Sequence, residues 1–361
     1  MRRSWERMKN LEAQLRAGMT TNGLDKKTQD TIVENISSFA LYGFPESHAA
    51  SFALIAYASE YFKVKYIAAF TCAILNNQPM GFCSPAVLVK DAQRHGLRVK
   101  PIDVQVSDWP CTIEHEPGGS LSLRMGLGYA KGLRRNSADM LVGSRSQGGV
   151  FSSVEDLALR IPSLNRKELT LLAQIGALNQ LDAVEHRRDA LWQVERAGKM
   201  EGPLLRQSGE GLPEEALPSP LQQMTVSERL VADYAGTGLT TGRHPMYHRR
   251  RELQRQGVFS AQELKRCSDG EFVRAAGCVI ARQRPGTAEG FIFLSMEDET
   301  GISNVIVTPD CYERNRLIVT RSKFLLVEGV LQNQDNVIHV KATRLVALSD
   351  RALELSSHDF H

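Results

Sequence analysis

Cysteine, charge of one sign and long apolar runs are all scarce in this chain, and each scarcity removes a class of protein. The six cysteines, Cys72, Cys83, Cys111, Cys267, Cys278 and Cys311, include no C-x-x-C pair and no Cys/His cluster with zinc-finger spacing. That excludes a zinc module and a disulfide scaffold, and the thiols read as reduced. The opening segment Met1–Leu15 is basic but lacks the apolar core of a secretory leader. The most apolar run, Ala49 to Ala58, contains Ser51 and is closed by Ser59-Glu60, which is too short for a membrane span. A cytoplasmic protein is expected. Lysine and arginine number 44 against 41 acidic residues, a formal charge of only +3. Any argument for nucleic acid must therefore come from where the charges lie.

What is present is a chain of 361 residues, 42% hydrophobic and 24% charged, with room for two or three domains. Its most distinctive stretch is Tyr42-Gly43-Phe44-Pro45-Glu46-Ser47-His48, leading into a helix over Ala49 to Tyr66. Pro45 suits the first helical position. Phe52, Ile55, Ala56, Ser59 and Phe62 recur at helical spacing and predict a buried face. Gly43, Ser47 and His48 stand where a helix start presents unpaired N–H groups, a place for a phosphate. A plain capped core helix is the alternative. Before this stretch, two amphipathic helices break at Thr21-Asn22-Gly23. After it come the loop Leu75 to Phe82, a helix from Pro85 to His95 and an extended piece from Leu97 to Val104.

Residues 124–149 are rich in glycine and basic side chains. Tyr129-Ala130-Lys131-Gly132-Leu133-Arg134, followed by a helix from Ser137 to Val142, has the pattern of a helix-hairpin-helix. Hairpin N–H groups in such a module grip a DNA phosphate without reading sequence. Arg134 takes the place of the usual second glycine and adds a cation; Arg135 follows it. A second unit runs through the helix Leu164 to Gln174, the hairpin Ile175-Gly176-Ala177-Leu178 and the helix His186 to Val194. For either unit alone, a glycine-broken helical pair remains the alternative.

Residues 198–222 form a Pro/Gly linker, and Thr225 caps a short helix reaching Tyr234. His244 and His248 have the spacing of helical zinc ligands, but Pro245 and the lack of a carboxylate partner favour structural roles. From Glu271 the periodicity changes to two. Strands are predicted at Phe272–Gln283, Phe291–Asp298, Ser303–Thr308, Phe324–Gln332 and Val337–Val346, with a helix from Asp310 to Leu317 after the third. That is the order of an OB-fold, a small barrel that often binds single strands. Phe291 and Phe293 share a face for stacking bases, with Arg274, Arg282 and Arg284 for phosphates; core packing of both phenylalanines is the alternative. Glu297-Asp298-Glu299-Thr300-Gly301 reads as an acidic hairpin turn rather than a metal site. The fold class is thus α+β and multidomain.

Taken together, Tyr42 to Ala49, Leu75-Asn76-Asn77-Gln78-Pro79-Met80-Gly81-Phe82 and Lys90-Asp91-Ala92-Gln93-Arg94-His95-Gly96 resemble bacterial C-family DNA polymerases. That is the DNA polymerase III alpha subunit family, and more narrowly its error-prone, damage-inducible branch. The resemblance covers nearly the whole chain and implies the C-terminal third of such an enzyme. Its parts would be 1–105, the end of the fingers; 106–197, the tandem helix-hairpin-helix; 198–268, a linker with a short helical segment; 269–349, the OB-fold; and 350–361, a tail. It implies nucleotide-phosphate contact by Ser47, His48 and Gly43. It implies DNA contact by Lys131, Gly132, Arg134, Arg135, Gly176, Arg274, Phe291 and Phe293. No Asp-x-Asp occurs in residues 1–361, so the family's catalytic aspartates and their metals lie outside this chain. No cofactor is expected on it, and Mg²⁺ belongs to the complete polymerase. Expected partners are primer-template DNA, single-stranded template, a deoxynucleoside triphosphate in the whole enzyme, and the sliding clamp or accessory translesion proteins. A truncated gene product, a split subunit or a mis-assigned start would each give such a chain. A non-catalytic DNA-binding or clamp-binding piece is the alternative to a translesion role.

Overall fold

The computed structural model describes residues 2–41, 46–81, 83–197, 219–334, 337–348 and 358–360. The chain divides into two compact units, Met1–Lys65 and Tyr66–His361.

The first unit is helical: α1 (Arg2–Thr21), α2 (Lys26–Leu41) and α3 (Glu46–Lys65). Gly23, at φ 74°, makes the left-handed turn between the first two. Arg16 then ties them, reaching Glu12 at 3.0 Å and Asp30 at 2.6 Å. The predicted buried face of α3 is not found. Phe52, Ile55 and Phe62 are 58%, 61% and 52% exposed. Large apolar residues also stand on the other sides of this helix, at Leu54, Tyr57 and Val64. Periodicity identifies an apolar face but not whether anything covers it.

The second unit begins with α4 (Ile67–Asn76) and α5 (Pro85–Arg94). A small sheet follows, of β1 (Arg98–Lys100), β2 (Thr112–His115) and β3 (Leu121–Arg124), ordered β1-β3-β2. Four helices come next: α6 (Arg135–Gly148), α7 (Val154–Arg160), α8 (Arg166–Gln174) and α9 (Arg187–Ala197). Leu123, Leu127, Leu141, Leu157, Leu172 and Leu178 belong to the one apolar core shared by these elements.

The rest of the chain builds a barrel and its lid of helices. The helices are α10 (Val226–Thr237), a 3₁₀ turn at Pro245–Arg249, α11 (Arg250–Arg255) and α12 (Ala261–Leu264). The strands are β4 (Phe272–Gln283), β5 (Ile292–Glu297), β6 (Ile302–Val307), β7 (Phe324–Gln334) and β8 (Val337–Ala347), with α13 (Pro309–Arg321) between β6 and β7. A short strand β9 (His358–Phe360) pairs with β4. The order β5-β6-β8-β7-β4 closes through a β4–β5 pairing, so five strands form a barrel of OB-fold topology. The parallel β6–β8 pairing is the crossover that the helix between strands three and four makes possible. Leu230 and Tyr234 of α10, with Met246 and Leu253, pack on Ala276, Cys278, Phe324 and Leu326 of the barrel wall.

Closure leaves little space where β7 crosses β8. Gly329 lies at a register shift in that pairing, and a Cβ there would collide with the carbonyl of Lys341. Gly329→Ala is expected to destabilise the barrel by about 1–3 kcal/mol, the usual cost of overpacking. Urea denaturation measures this, and an unchanged midpoint would show that the ladder yields without cost.

Candidate nucleic-acid interface

The first hairpin is built as its sequence predicts. Gly132 takes φ 103° and Gly176, in the second, takes φ 82°, both inaccessible to most side chains without strain. The backbone N–H groups are only partly open, however. Lys131 donates its N–H to the Gly236 carbonyl at 2.8 Å, and its Nζ lies 3.4 Å from the Tyr234 carbonyl. The end of α10 therefore rests on this hairpin.

Arg134, read from sequence as an added cation at the hairpin, is exposed but already paired. Its guanidinium grips Glu168 through Nε at 3.0 Å and Nη2 at 2.8 Å, and its own N–H reaches the same carboxylate at 2.9 Å. Glu168 is 2% exposed and also accepts from Ser137 Oγ at 3.3 Å and Asn165 N–H at 3.1 Å. Burial alone would raise its pKa. The donors from Arg134, Asn165 and Ser137 overcome that and hold it at about 2. Arg134 thus locks the first hairpin to the second helical pair. Arg135 is exposed, pairs with Asp139 at 2.9 Å and lies 5.0 Å over the Trp109 ring.

At the second hairpin, the Arg187 guanidinium fills the space beside Gly176. It donates to Gln174 O at 3.2 Å and to Asp233 of α10 at 2.7 Å. Gly236 abuts Ile175 so closely that a Cβ would strike its side chain. Helix α10 thereby seats on both hairpins.

On the barrel, Ile292, Leu294 and Met296 turn inward. Phe293, 36% exposed, faces out, and Phe291 is half-buried just ahead of β5 rather than within it. Core packing of Phe293 is therefore excluded. Arg274 is committed to Glu328 at 3.1 Å and to the Gln256 carbonyl at 3.0 Å. Arg282, a predicted phosphate ligand, is buried instead and donates to the carbonyls of Val319, at 2.7 Å, and Ser322. It caps the end of α13, a role that strand alternation cannot reveal. Arg284 lies 4.9 Å over the Tyr312 ring.

Gly43 falls outside the described residues, and so does the side chain of Ser47. His48 is exposed in the first turns of α3, with its ring 4.4 Å from that of Phe52. His244 is buried, accepts from the Met246 N–H at 3.2 Å and caps the 3₁₀ turn. Each carboxylate of the acidic run faces a cation of the protein. Glu297 faces Arg94 at 2.8 Å and His244 at 3.6 Å. Asp298 takes N–H bonds from Ala261, Thr300 and Gly301 and pairs with Arg250, which also holds Glu299. These carboxylates carry cations of the protein itself, so the donor set does not suit a metal ion.

Comparison with known proteins fits this arrangement. Residues 96–190 match the helix-hairpin-helix motif family. An error-prone DNA polymerase from Alkalilimnicola ehrlichii is 42% identical over 370 residues, covering 99% of this chain and 34% of its own length. One from Azoarcus sp. shows the same identity over 369 residues, and one from Pseudomonas fluorescens is 41% identical over 363. The chain is homologous to error-prone DNA polymerases along its whole length. It spans about a third of theirs. Among solved structures, an asparaginyl-tRNA synthetase from Pyrococcus horikoshii aligns over 25% of this chain with a TM-score of 0.22, too low to bear on the fold.

Sequence reasoning missed the residues that fit this polymerase homologue's modules together: Glu168, Arg187, Asp233 and Trp109. One of them carried a local signal. Asn165-Arg166-Lys167-Glu168 is a capping box, and the structure contains it. Nothing local pointed to Arg134 as its partner. Among the described residues, no helix is long and apolar enough to cross a membrane.

Proposed function

We propose that this chain supplies the DNA-holding portion of an error-prone, damage-induced DNA polymerase acting in translesion synthesis. The observation that carries the reading is the homology along the entire chain, with helix-hairpin-helix followed by OB barrel in one order. In that role the hairpins at Gly132 and Gly176, with Lys131 and Arg135, lie against the duplex backbone. Phe293, Phe291 and Arg274 lie near single-stranded template. Arg134 acts through Glu168, positioning the first hairpin rather than contacting phosphate. Ser47, His48 and Gly43 approach the triphosphate of the incoming nucleotide in the complete enzyme, where Mg²⁺ and the paired aspartates act. Gln222-Gln223-Met224 is the segment with which a sliding clamp could engage, and accessory translesion proteins would join the same assembly. The setting is the cytoplasm.

With no Asp-x-Asp in its sequence, the isolated chain is expected to bind DNA yet extend no primer. Incubation with primer-template, Mg²⁺ and the four deoxynucleotides tests this. Robust extension would overturn the assignment of chemistry to residues outside the chain. Absence of salt-sensitive DNA binding would overturn the DNA-holding role.

A further inference from the structure

The segment from Arg243 to Gly257 lies between the hairpin module and the barrel, and no role above uses its outer face. It contains five arginines and one glutamate, whereas the entire chain has a surplus of only three positive charges. Arg250 turns inward to Asp298 and Glu299. The other four, Arg243, Arg249, Arg251 and Arg255, form no ion pair among the described residues. The Nη1 of Arg249 is withdrawn from solvent without a hydrogen-bond partner.

Arg251 and Arg255 are a helical turn apart on α11 and exposed, opposite the buried Leu253. The Arg243 guanidinium lies 3.9 Å over the ring of Tyr247, which is 43% exposed. The His248 ring meets Tyr247 edge-on at 5.5 Å. Arg229 is exposed on α10; burial lowers the pKa of His248, and the charges of Arg243 and Arg229 lower it further. Beside them opens a cleft of about 630 Å³, lined in part by Lys90, Arg94, Thr241 and Tyr247, with Glu299, which Arg250 holds, as its acidic residue. Glu252 is the single acidic side chain on the segment, and Gln256 donates to it at 3.5 Å.

Guanidinium groups without carboxylate partners, crowded into one short segment, repel one another unless an extended anion lies across them. A phosphodiester chain supplies evenly spaced charge for the arginines and flat bases for the ring. We propose that this face binds the sugar–phosphate backbone of a nucleic-acid strand, with Arg229, Arg243, Arg251 and Arg255 on phosphates and Tyr247 stacking a base. The inference rests on the DNA-holding reading above and adds a third contact surface between the two modules. An acidic protein partner would satisfy the charges but would not use the face of the Tyr247 ring that Arg243 leaves open.

The test uses the full chain, fluorescein-labelled oligothymidylate and a labelled DNA hairpin duplex, with anisotropy read across a salt series. The variant combining Arg243→Ala, Arg251→Ala and Arg255→Ala is expected to lower the slope of log affinity against log salt by roughly 2–3, since each lost phosphate contact removes about 0.7–0.9. Lysine at the same three positions should retain the slope. Tyr247→Leu should weaken oligothymidylate roughly tenfold and leave the duplex unchanged. If the wild type binds and the alanine variant keeps its slope, this face is not the site while the DNA-holding reading stands. If the wild type binds neither probe, both fall. Should the triple variant melt early, Arg255→Glu alone repeats the measurement at a single exposed position, and an unchanged slope there also counts against the proposal.

Discussion

Glu168→Ala is expected to destabilise the protein by about 1–3 kcal/mol, the cost of leaving buried donors without their acceptor. The carboxylate is 2% exposed and collects donors from Arg134, Ser137 and Asn165. Its removal leaves the Arg134 guanidinium and two backbone N–H groups without their acceptor. The hairpin at Gly132 would loosen with it, so duplex affinity should fall along with stability. Protonation offers a second route to the same site. The folded-state pKa, about 2, is lowered from the ordinary 4.5. The stabilisation is therefore complete above about pH 4.5 and is lost as pH falls toward 2. A shift of that size corresponds to about 3 kcal/mol. Urea unfolding of wild type and Glu168→Gln at neutral and acidic pH decides the matter. The glutamine variant should lack this part of the acid sensitivity, and identical pH profiles would show that Glu168 is not its source.

Glu297→Ala should cost more, about 3–5 kcal/mol, through a different set of contacts. Glu297, at the end of β5, faces Arg94 of α5 and His244 of the 3₁₀ turn. Nearby, Lys90 is buried and donates to the Gly242 carbonyl, and Gln93 donates to the Thr241 carbonyl at 2.7 Å. Burial pushes the Lys90 pKa down to about 8, and Glu297 is the first of the acids opposing that shift. Without Glu297, Lys90 loses the strongest of its compensating charges while Asp233 remains, and Lys90 should lose its proton at lower pH still. The contacts join the hairpin half of the unit to the barrel. Two unfolding transitions in place of one are therefore expected by calorimetry of the variant. A single transition at the wild-type temperature would mean that the apolar contacts of Tyr234 and Met246 with the barrel suffice.

Much of this architecture was legible without coordinates. Strand alternation after Glu271, with a helix after the third strand, predicts an OB-fold, and β4 to β8 close in that order. Glycines at 132 and 176 mark two hairpins, and both take positive φ. Such signals are local. Periodicity, caps and turn residues act within a few positions of themselves, so the chain states them directly. The partners of charged residues are not local. Arg134 lies 34 residues from Glu168, Arg94 pairs with a carboxylate on the far barrel, and Arg282, expected on phosphate, is buried against the end of α13. A guanidinium reads the same in sequence whether it awaits a phosphate or is already neutralised. The exposed face of α3 carries the same lesson for apolar residues, because the pattern names a face and only packing says whether it is covered. The sequence by itself determined the modules, their order and their homology. The tertiary structure decided which of their cations hold the modules together and which, Arg243, Arg251 and Arg255 among them, are left facing outward.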